Sequence, residues 1–169
     1  MITIRETALP LNGIESLRAE ASNEGYDFVE TLVEEWASGE NRFEKKGEVL
    51  MACFEEHPRK QPQLVAVGGV TIDPFLHSPE IGRIRRVYVR AAWRNQGIGA
   101  LLVKTLIAAS AKSFRAVRLR AENCDAARLY ERLGFSPIEN KSATHLLTFD
   151  PGAVDPDIAP VRVSTLLIT

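Results

Sequence analysis

The spacing of apolar residues changes in the middle of the chain, between positions 83 and 109. Residues 83–89 are rich in β-branched and aromatic side chains, which is typical of a strand. After Gly97 the apolar residues recur at the spacing of a helix, namely at Ile98, Leu101, Leu102, Leu106 and Ala109. The segment therefore predicts a strand, a turn that contains Gly97 and Gly99, and a helix, in direct succession.

The remaining patterns predict further strands and helices on both sides of this segment. Apolar stretches predict strands at 2–6, 47–54, 63–72, 117–121 and 143–149. Apolar stripes and capping residues predict helices at 10–25, 26–38 and 123–134. The polar segment 55–62, with two prolines, predicts the turn of a β-hairpin, and Gly68-Gly69 predicts a bulge or a close backbone approach. Together these elements predict an α+β fold.

Length and composition favour one soluble domain. The chain has 169 residues, of which 45% are hydrophobic, which is enough for one sizeable core. No apolar run approaches the roughly 20 residues that span a membrane, and the N-terminus lacks the pattern of a signal peptide. The two cysteines and three histidines show no metal-ligand spacing. We therefore expect a cytoplasmic protein that binds neither a membrane nor a metal.

The charged residues are unevenly distributed, although the net charge is only −1. Between positions 81 and 121 there are ten Lys or Arg and no Asp or Glu. A basic centre in an acidic chain indicates a local anionic ligand more than a nucleic-acid surface, which would also need more interleaved aromatic residues. Arg85, Arg118 and Arg120 are each expected either to serve such a ligand or to lie on a solvated face.

The predicted strand, turn and helix have the chemistry of a phosphate site. The first N–H groups of a helix have no intrahelical partner and lie at the positive end of the helix dipole. Glycine lets a bulky anion approach these groups without meeting a Cβ. The spacing excludes a P-loop, which needs Gly-Lys-Ser/Thr, and a dinucleotide fingerprint, because Leu102 stands where the third glycine would be.

Two motifs at this site resemble those of the GCN5-related N-acetyltransferase (GNAT) family. The first is R-x-x-G-x-G, formed by Arg94, Gly97 and Gly99 after the strand. The second is N-x-x-A-x-x-L-Y-E-x-x-G-F, which residues 123–135 match at every fixed position. The resemblance implies a single domain over residues 1–150. Its mixed, mostly antiparallel sheet would be flanked by helices and splayed where acetyl-CoA enters.

The resemblance also implies roles for residues of the two motifs. Backbone groups of the strand before the turn hold the pantetheine arm of acetyl-CoA in the family, which points to Val87, Tyr88 and Val89. The turn holds the pyrophosphate, which points to Arg94, Asn95, Gln96, Gly97, Ile98 and Gly99. Asn123 matches a residue that contacts the cofactor arm, and Tyr130 matches the tyrosine that protonates the leaving thiolate. A phenol with a pKa of about 10 suits that task if it lies within hydrogen-bond reach.

The acceptor and the general base stay open. The expected acceptor is the primary amine of a small molecule or amino acid. A protein N-terminus or lysine is an alternative, as is a non-catalytic acyl-CoA-binding module. Many family members carry a glutamate where this chain has Arg83, which removes the easiest base and indicates an acceptor with a carboxylate. The base could be a water chain or one of four residues, Glu80, Asp73, His77 and Glu122.

Two further features have alternative interpretations. Cys124, at a helix N-terminus, is expected to be a small buried residue rather than a nucleophile that forms an acyl-enzyme. Residues 151–169 lie beyond the usual extent of the family and end in a run with strand character. They predict a strand added to the sheet edge or exchanged within a homodimer.

Overall fold

The structure is a computed structural model that describes residues 1–149, which form seven strands and four helices. The strands are β1 (Ile2–Glu6), β2 (Val49–His57), β3 (Lys60–Ile72), β4 (Ile81–Val89), β5 (Ala116–Leu119), β6 (Ser136–Pro137) and β7 (His145–Thr148). The helices are α1 (Ile14–Asn23), α2 (Phe28–Ser38), α3 (Ile98–Ala111) and α4 (Cys124–Arg132). One sheet holds these strands in the order β1-β2-β3-β4-β5-β7-β6, and among them only β4 and β5 are parallel. The predicted α+β fold with a mixed, mostly antiparallel sheet is confirmed.

Helices cover both faces of the sheet. On one face, Leu102 and Leu106 of α3 and Tyr130 of α4 share a buried cluster with strand residues. On the other face, Leu17 of α1 and Leu32 of α2 share a second cluster with strand residues. This arrangement explains why residues 64–71 of the central strand β3 are buried without interruption, since a strand covered on both faces is apolar throughout.

Strands β4 and β5 separate soon after they begin to pair. Three residue pairs join them, and the last is Arg83 with Arg118, whereas β4 continues to Val89. Beyond Arg83, the edge of β4 that faces β5 has no strand partner within residues 1–149. A bulge with Arg86 in the left-handed region, at a φ of 59°, adds local twist to β4. The sheet therefore opens between β4 and β5, as the resemblance implied.

The predicted hairpin turn at 55–62 is wrong in extent. Strand β2 runs to His57 and β3 begins at Lys60, so only Pro58 and Arg59 lie between them. Their ends project beyond the core, and residues 57–61 are exposed, so polar side chains there do not prevent pairing. Pro62 has no N–H to donate to a neighbouring strand. The sheet accommodates it because it lies beside a register shift in the β2–β3 pair and before the part of β3 that pairs with β4.

Two other local predictions have different outcomes. The first two helices are shorter than predicted, because Gly13 and Asp27 precede helices that begin at Ile14 and Phe28. The bulge or close approach predicted at Gly68-Gly69 is confirmed. The register shifts between Val67 and Gly69, and a Cβ on Gly69 would collide with the ring of Phe43.

The C-terminal extension at 151–169 lies outside the described residues, as does its predicted role as an added or exchanged strand. Within residues 1–149, none of the helices combines the length and the apolar character needed to cross a bilayer.

Candidate active site

The first turn of α3 presents backbone N–H groups without partners. Gly97 precedes the helix with a φ of 81°, and no side chain caps this end. The first helical hydrogen bond runs from Leu101 N to Gly97 O at 3.0 Å, so the N–H groups of residues 98–100 have no acceptor among the described residues. Asn95 also adopts a left-handed conformation, with a φ of 60°. Such a turn at a helix N-terminus is suited to bind a phosphate group.

The two glycines leave space beside these N–H groups. A Cβ added to Gly97 would meet no atom within 4 Å. A Cβ added to Gly99 would lie 3.6 Å from Leu129 Cδ2 and 3.7 Å from Val89 Cγ2, at ordinary contact distance. Because Leu129 and Val89 line the opening between β4 and α4, Gly99 faces that opening. A diphosphate can therefore reach the bare N–H groups from it.

A cleft of about 920 Å³ follows the gap between β4 and β5. We call one part the turn end, which is lined by Val87, Val89, Gly97, Gly99, Asn123 and Tyr130. We call the other part the arginine end, which is lined by Phe75, Arg83 and Arg85. Tyr26, Asp27 and Phe28 also line the cleft, and the ring of Phe28 lies 6.1 Å from that of Tyr88. Tyr88, Arg94, Asn95 and Glu122 also line the cleft. Gln96 and Ile98, which the motif included, do not line it: Gln96 is bonded to Ala92 O, and Ile98 is buried in the core.

Arg94 is held by a residue that the motif does not contain. Its two terminal nitrogens donate to the two oxygens of Glu24, just after α1, at 2.7 and 2.6 Å. Its Nε donates to Val89 O at 2.9 Å, and the hydroxyl of Tyr88 donates a short hydrogen bond to the same Glu24 carboxylate. The guanidinium therefore ties the turn to α1, and its charge is paired with Glu24 before any ligand arrives.

Replacing Glu24 by glutamine is expected to lower the free energy of unfolding at pH 7 by about 1 kcal/mol. This is less than usual for hydrogen bonds between charged groups, because both side chains are partly exposed. Hydrogen bonds from Arg94 and Tyr88 lower the pKa of Glu24 below its usual range. The contribution is therefore present above the unfolded pKa of about 4 and is lost as the pH falls through the folded pKa.

Urea unfolding of both proteins between pH 3 and pH 7 would measure this difference. The variant Glu15→Gln, which removes an exposed carboxylate at the other end of α1, is the matched control and should show no such difference. An equal loss for Glu24→Gln at both ends of the pH range would contradict the assignment.

Tyr130 reaches the turn end from α4. Its ring is buried against Phe135, with centroids 5.7 Å apart, and its hydroxyl has no hydrogen-bond partner within residues 1–149. Burial, with a smaller contribution from the negative charge of Glu122, raises the pKa of Tyr130 to about 12. The phenol therefore stays protonated near neutral pH and can donate a proton into the cleft.

Local capping fixes the orientation of α4 as the sequence predicted. The side chain of Asn123 accepts a hydrogen bond from Ala126 N at 2.9 Å. At the other end, Gly134 N donates to Glu131 O and Phe135 N donates to Tyr130 O, both at 3.1 Å, in a Schellman motif. Cys124 is exposed, so the prediction of a buried cysteine is wrong, because the first turn of α4 faces solvent. Cys124 also does not line the cleft.

Two arginines on adjacent strands share one carboxylate where β4 and β5 separate. Arg118 Nε donates to Asp73 Oδ2 at 2.7 Å, and Arg83 Nη1 lies 3.5 Å from the same oxygen. Ser142 accepts from both, through its Oγ from Arg118 at 2.8 Å and through its carbonyl from Arg83 at 2.7 Å. Arg118 is fully buried, so neither a solvated face nor a ligand explains it. Its hydrogen bonds to Asp73 and Ser142 compensate for part of its burial, because its Nη1 is buried without a partner within residues 1–149.

Among the four residues considered as general base, Glu122 alone lines the cleft. Asp73 is buried under the two arginines, and Glu80 pairs with Arg115 at 3.2 Å. His77 is exposed in the 73–80 loop, outside the cleft lining. No group of three or more potential metal ligands occurs within residues 1–149.

The sequence did not single out three residues of the site. Asp27 and Arg85 line the cleft, and Glu24 holds the turn. The family resemblance implied that the helix pair α1–α2 and its loop form one wall of the acceptor pocket, but it did not identify Asp27 or Glu24 within them. Arg85 was one of several arginines that the charge pattern did not distinguish, so its place in the cleft became visible only in the fold.

The comparisons with known proteins agree with this geometry. A family model described as an acetyltransferase (GNAT) domain matches residues 50–137, slightly more than half of the chain. The chain therefore belongs to the GNAT acetyltransferase family, whose members use acetyl-CoA. A search of the curated proteins gives no significant match.

Solved structures share the fold over most of the chain. A candidate acetyltransferase from Exiguobacterium sp. 255-15 is similar with a TM-score of 0.75 and 26% identity, covering 88% of this chain and 93% of its own. A candidate acetyltransferase from Salmonella typhimurium, solved with its cofactor acetyl-CoA, has a TM-score of 0.66 and 14% identity, with coverage of 90% and 96%. The glucosamine-6-phosphate N-acetyltransferase of Arabidopsis thaliana has a TM-score of 0.58 and 19% identity, with coverage of 85% and 97%.

Proposed function

We propose that the protein transfers the acetyl group of acetyl-CoA to the primary amine of a small molecule. The observation that carries this proposal is the uncapped glycine turn of α3, which opens on the gap between β4 and β5 beside the hydroxyl of Tyr130. Membership of the acetyltransferase family supports it. The Salmonella typhimurium neighbour with its cofactor acetyl-CoA supports the same donor.

The residues of the turn end fit the parts of acetyl-CoA. The bare N–H groups of residues 98–100 would bind the diphosphate through charge-assisted hydrogen bonds. The unpaired edge of β4, including Val87 and Val89, would bind the amide groups of the pantetheine arm as a further strand would. Asn123 lines the opposite wall of the cleft and would contact the same arm.

Bound acetyl-CoA supplies a thioester whose carbonyl carbon forms a bond to the amine nitrogen while its bond to sulfur breaks. Tyr130 would donate its proton to the departing thiolate, because the phenol is protonated and its hydroxyl is free of protein partners. The ammonium of the acceptor must also lose a proton. Glu122 would accept it, directly or through a water molecule, since it is the one residue among the four candidate bases that lines the cleft.

Calorimetry and a thiol-release assay would test the proposal. We expect acetyl-CoA to bind the purified protein, and at least one member of a broad panel of small amines, amino acids, polyamines and short peptides to release free CoA. Failure of acetyl-CoA to bind would overturn the donor assignment. Binding without turnover across the panel would indicate a non-catalytic acyl-CoA-binding module instead of an enzyme. Turnover of peptides alone would indicate that the acceptor is a protein.

A further inference from the structure

The arginine end of the cleft contains a cation without a counter-ion. Arg85 lines the cleft and is partly buried, yet its guanidinium makes no hydrogen bond or ion pair within residues 1–149. A guanidinium carries five N–H donors in a fixed fork that matches an oxyanion. Because Arg85 is only half-buried and faces the cleft, these donors are accessible to an anionic partner from outside the chain.

The three carboxylates whose charges act on Arg85 form hydrogen bonds or ion pairs with other residues. Glu35 pairs with Arg86 at 2.9 Å, and Glu48 accepts the backbone N–H of Ile72 at 2.8 Å. Asp73 is bound by Arg118 at 2.7 Å. Burial, followed by the charge of Arg86, lowers the pKa of Arg85, and the charges of Glu35, Asp73 and Glu48 act in the opposite direction. None of these carboxylates forms a hydrogen bond or an ion pair with Arg85 within residues 1–149, so its guanidinium keeps its donors for a partner from outside the chain.

The surroundings of Arg85 add to the positive charge. Arg83 and Arg118 share the single carboxylate of Asp73, so these three buried groups carry one excess positive charge. The sequence pointed to Arg83 as the acceptor's partner, but its guanidinium is occupied by Asp73 and by the carbonyl of Ser142. Arg83 therefore contributes charge, whereas Arg85 has free donors.

An aromatic surface lies at this end of the cleft, and a further carboxylate lines the cleft. Phe75 is 58% exposed, and its ring lies over the guanidinium of Arg83, 4.8 Å from centroid to carbon. Asp27, at the start of α2, is exposed and caps no backbone N–H with its side chain. The arginine end thus offers a cation for an anion and an aromatic face for a carbon skeleton, and the cleft wall also carries the carboxylate of Asp27.

We propose that the acceptor is a primary amine that also carries an oxyanion, a carboxylate or a phosphate monoester, and that Arg85 is the residue that binds this oxyanion. The inference rests on the proposed acetyltransferase function and names its substrate class. A polyamine or an uncharged amine would leave Arg85 unpaired and would meet the net positive charge of Arg83, Arg85 and Arg118. An amino acid or an amino-sugar phosphate would pair with Arg85 and keep its amine free for the acetyl group.

Matched pairs of acceptors test the proposal. Each L-amino acid is compared with its carboxamide, and an amino-sugar phosphate with the free amino sugar, in the thiol-release assay with full-length protein. We expect kcat/KM to be at least about tenfold higher for the charged member of the preferred pair. The identity of that pair distinguishes a carboxylate from a phosphate.

The variant Arg85→Gln should lower kcat/KM for the charged acceptor about ten- to a hundredfold, mainly through KM, and should leave the uncharged member unchanged. Arg85→Lys should recover part of the loss, because it restores the charge but not the fork. Arg5→Gln, at an exposed arginine of β1, is the control for the same exchange elsewhere. Calorimetric binding of the N-acetylated product should weaken in Arg85→Gln, which gives a measurement independent of turnover.

The outcomes separate this inference from the proposed function. If amines are acetylated but acids and carboxamides react equally well, or Arg85→Gln affects both alike, the substrate class is wrong and the acetyltransferase stands. If acetyl-CoA does not bind, or no amine in the panel releases CoA, the proposed function falls and the substrate class with it.

Discussion

Replacing Tyr130 by phenylalanine is expected to lower kcat by about a hundred- to a thousandfold and to leave the affinity for acetyl-CoA unchanged. The hydroxyl of Tyr130 has no protein partner, so its removal leaves no buried group unsatisfied within the described part of the chain. Because the pKa of Tyr130 is raised to about 12, the phenol keeps its proton across the pH range of an assay. Loss of that proton should therefore not limit the rate below a pH of about 10.

Steady-state kinetics and calorimetry on the same preparations would check this expectation. Phe135→Leu is the control, because it alters the aromatic contact of Tyr130 without removing the hydroxyl. If Phe135→Leu lowers kcat as much as Tyr130→Phe, packing and not proton donation explains the effect. An unchanged kcat in Tyr130→Phe would remove Tyr130 from the mechanism altogether.

Replacing Gly99 by aspartate is expected to raise the dissociation constant of acetyl-CoA by at least about a hundredfold without lowering the melting temperature. The new side chain would enter the cleft between Val89 and Leu129, where a Cβ fits at 3.7 and 3.6 Å. Its carboxylate would repel a diphosphate bound to the same helix end, and one pair of charges at about 4 Å is worth several kcal/mol near a protein surface. An acidic residue in the first turn of a helix stabilises that helix, so the fold should tolerate the change.

Gly99→Asn separates bulk from charge, because asparagine has nearly the same size as aspartate and no charge. We expect its effect on acetyl-CoA binding to be clearly smaller than that of Gly99→Asp. Calorimetry of both variants, with thermal unfolding of each, gives the comparison. Equal binding by wild type and Gly99→Asp would place the diphosphate elsewhere and would contradict the proposed donor site.

Elements with local signals were predicted well from the sequence. The helix α4 was placed correctly because Asn123 and Gly134 specify its ends within a few residues. The turn before α3 was placed because glycine is needed where φ is positive, as at Gly97. The hairpin β2–β3 was predicted too short, because its exposed ends are polar and polarity resembles a turn.

The rest of the site depends on contacts between distant parts of the chain. Arg94 meets Glu24 across 70 positions, and Arg118 meets Asp73 across 45. Neither contact leaves a periodic pattern, so Arg118 was indistinguishable from a solvated arginine and Glu24 from an ordinary surface residue. The exposure of Cys124 was missed for a related reason, because a capped helix start does not reveal which of its sides meets solvent.

The pairing of Arg83 with Arg118 at the last contact between β4 and β5 has a mechanical consequence. Two guanidiniums directly opposite each other on neighbouring strands repel, and Asp73 bridges them where the strands diverge. The sheet thus consists of two parts, one formed by β1 to β4 and the other by β5, β7 and β6. The ion pairs of Asp73 with Arg83 and Arg118 join the two parts. Asp73, which does not itself line the cleft, thus holds the two strands together at the point where they separate and the cleft begins.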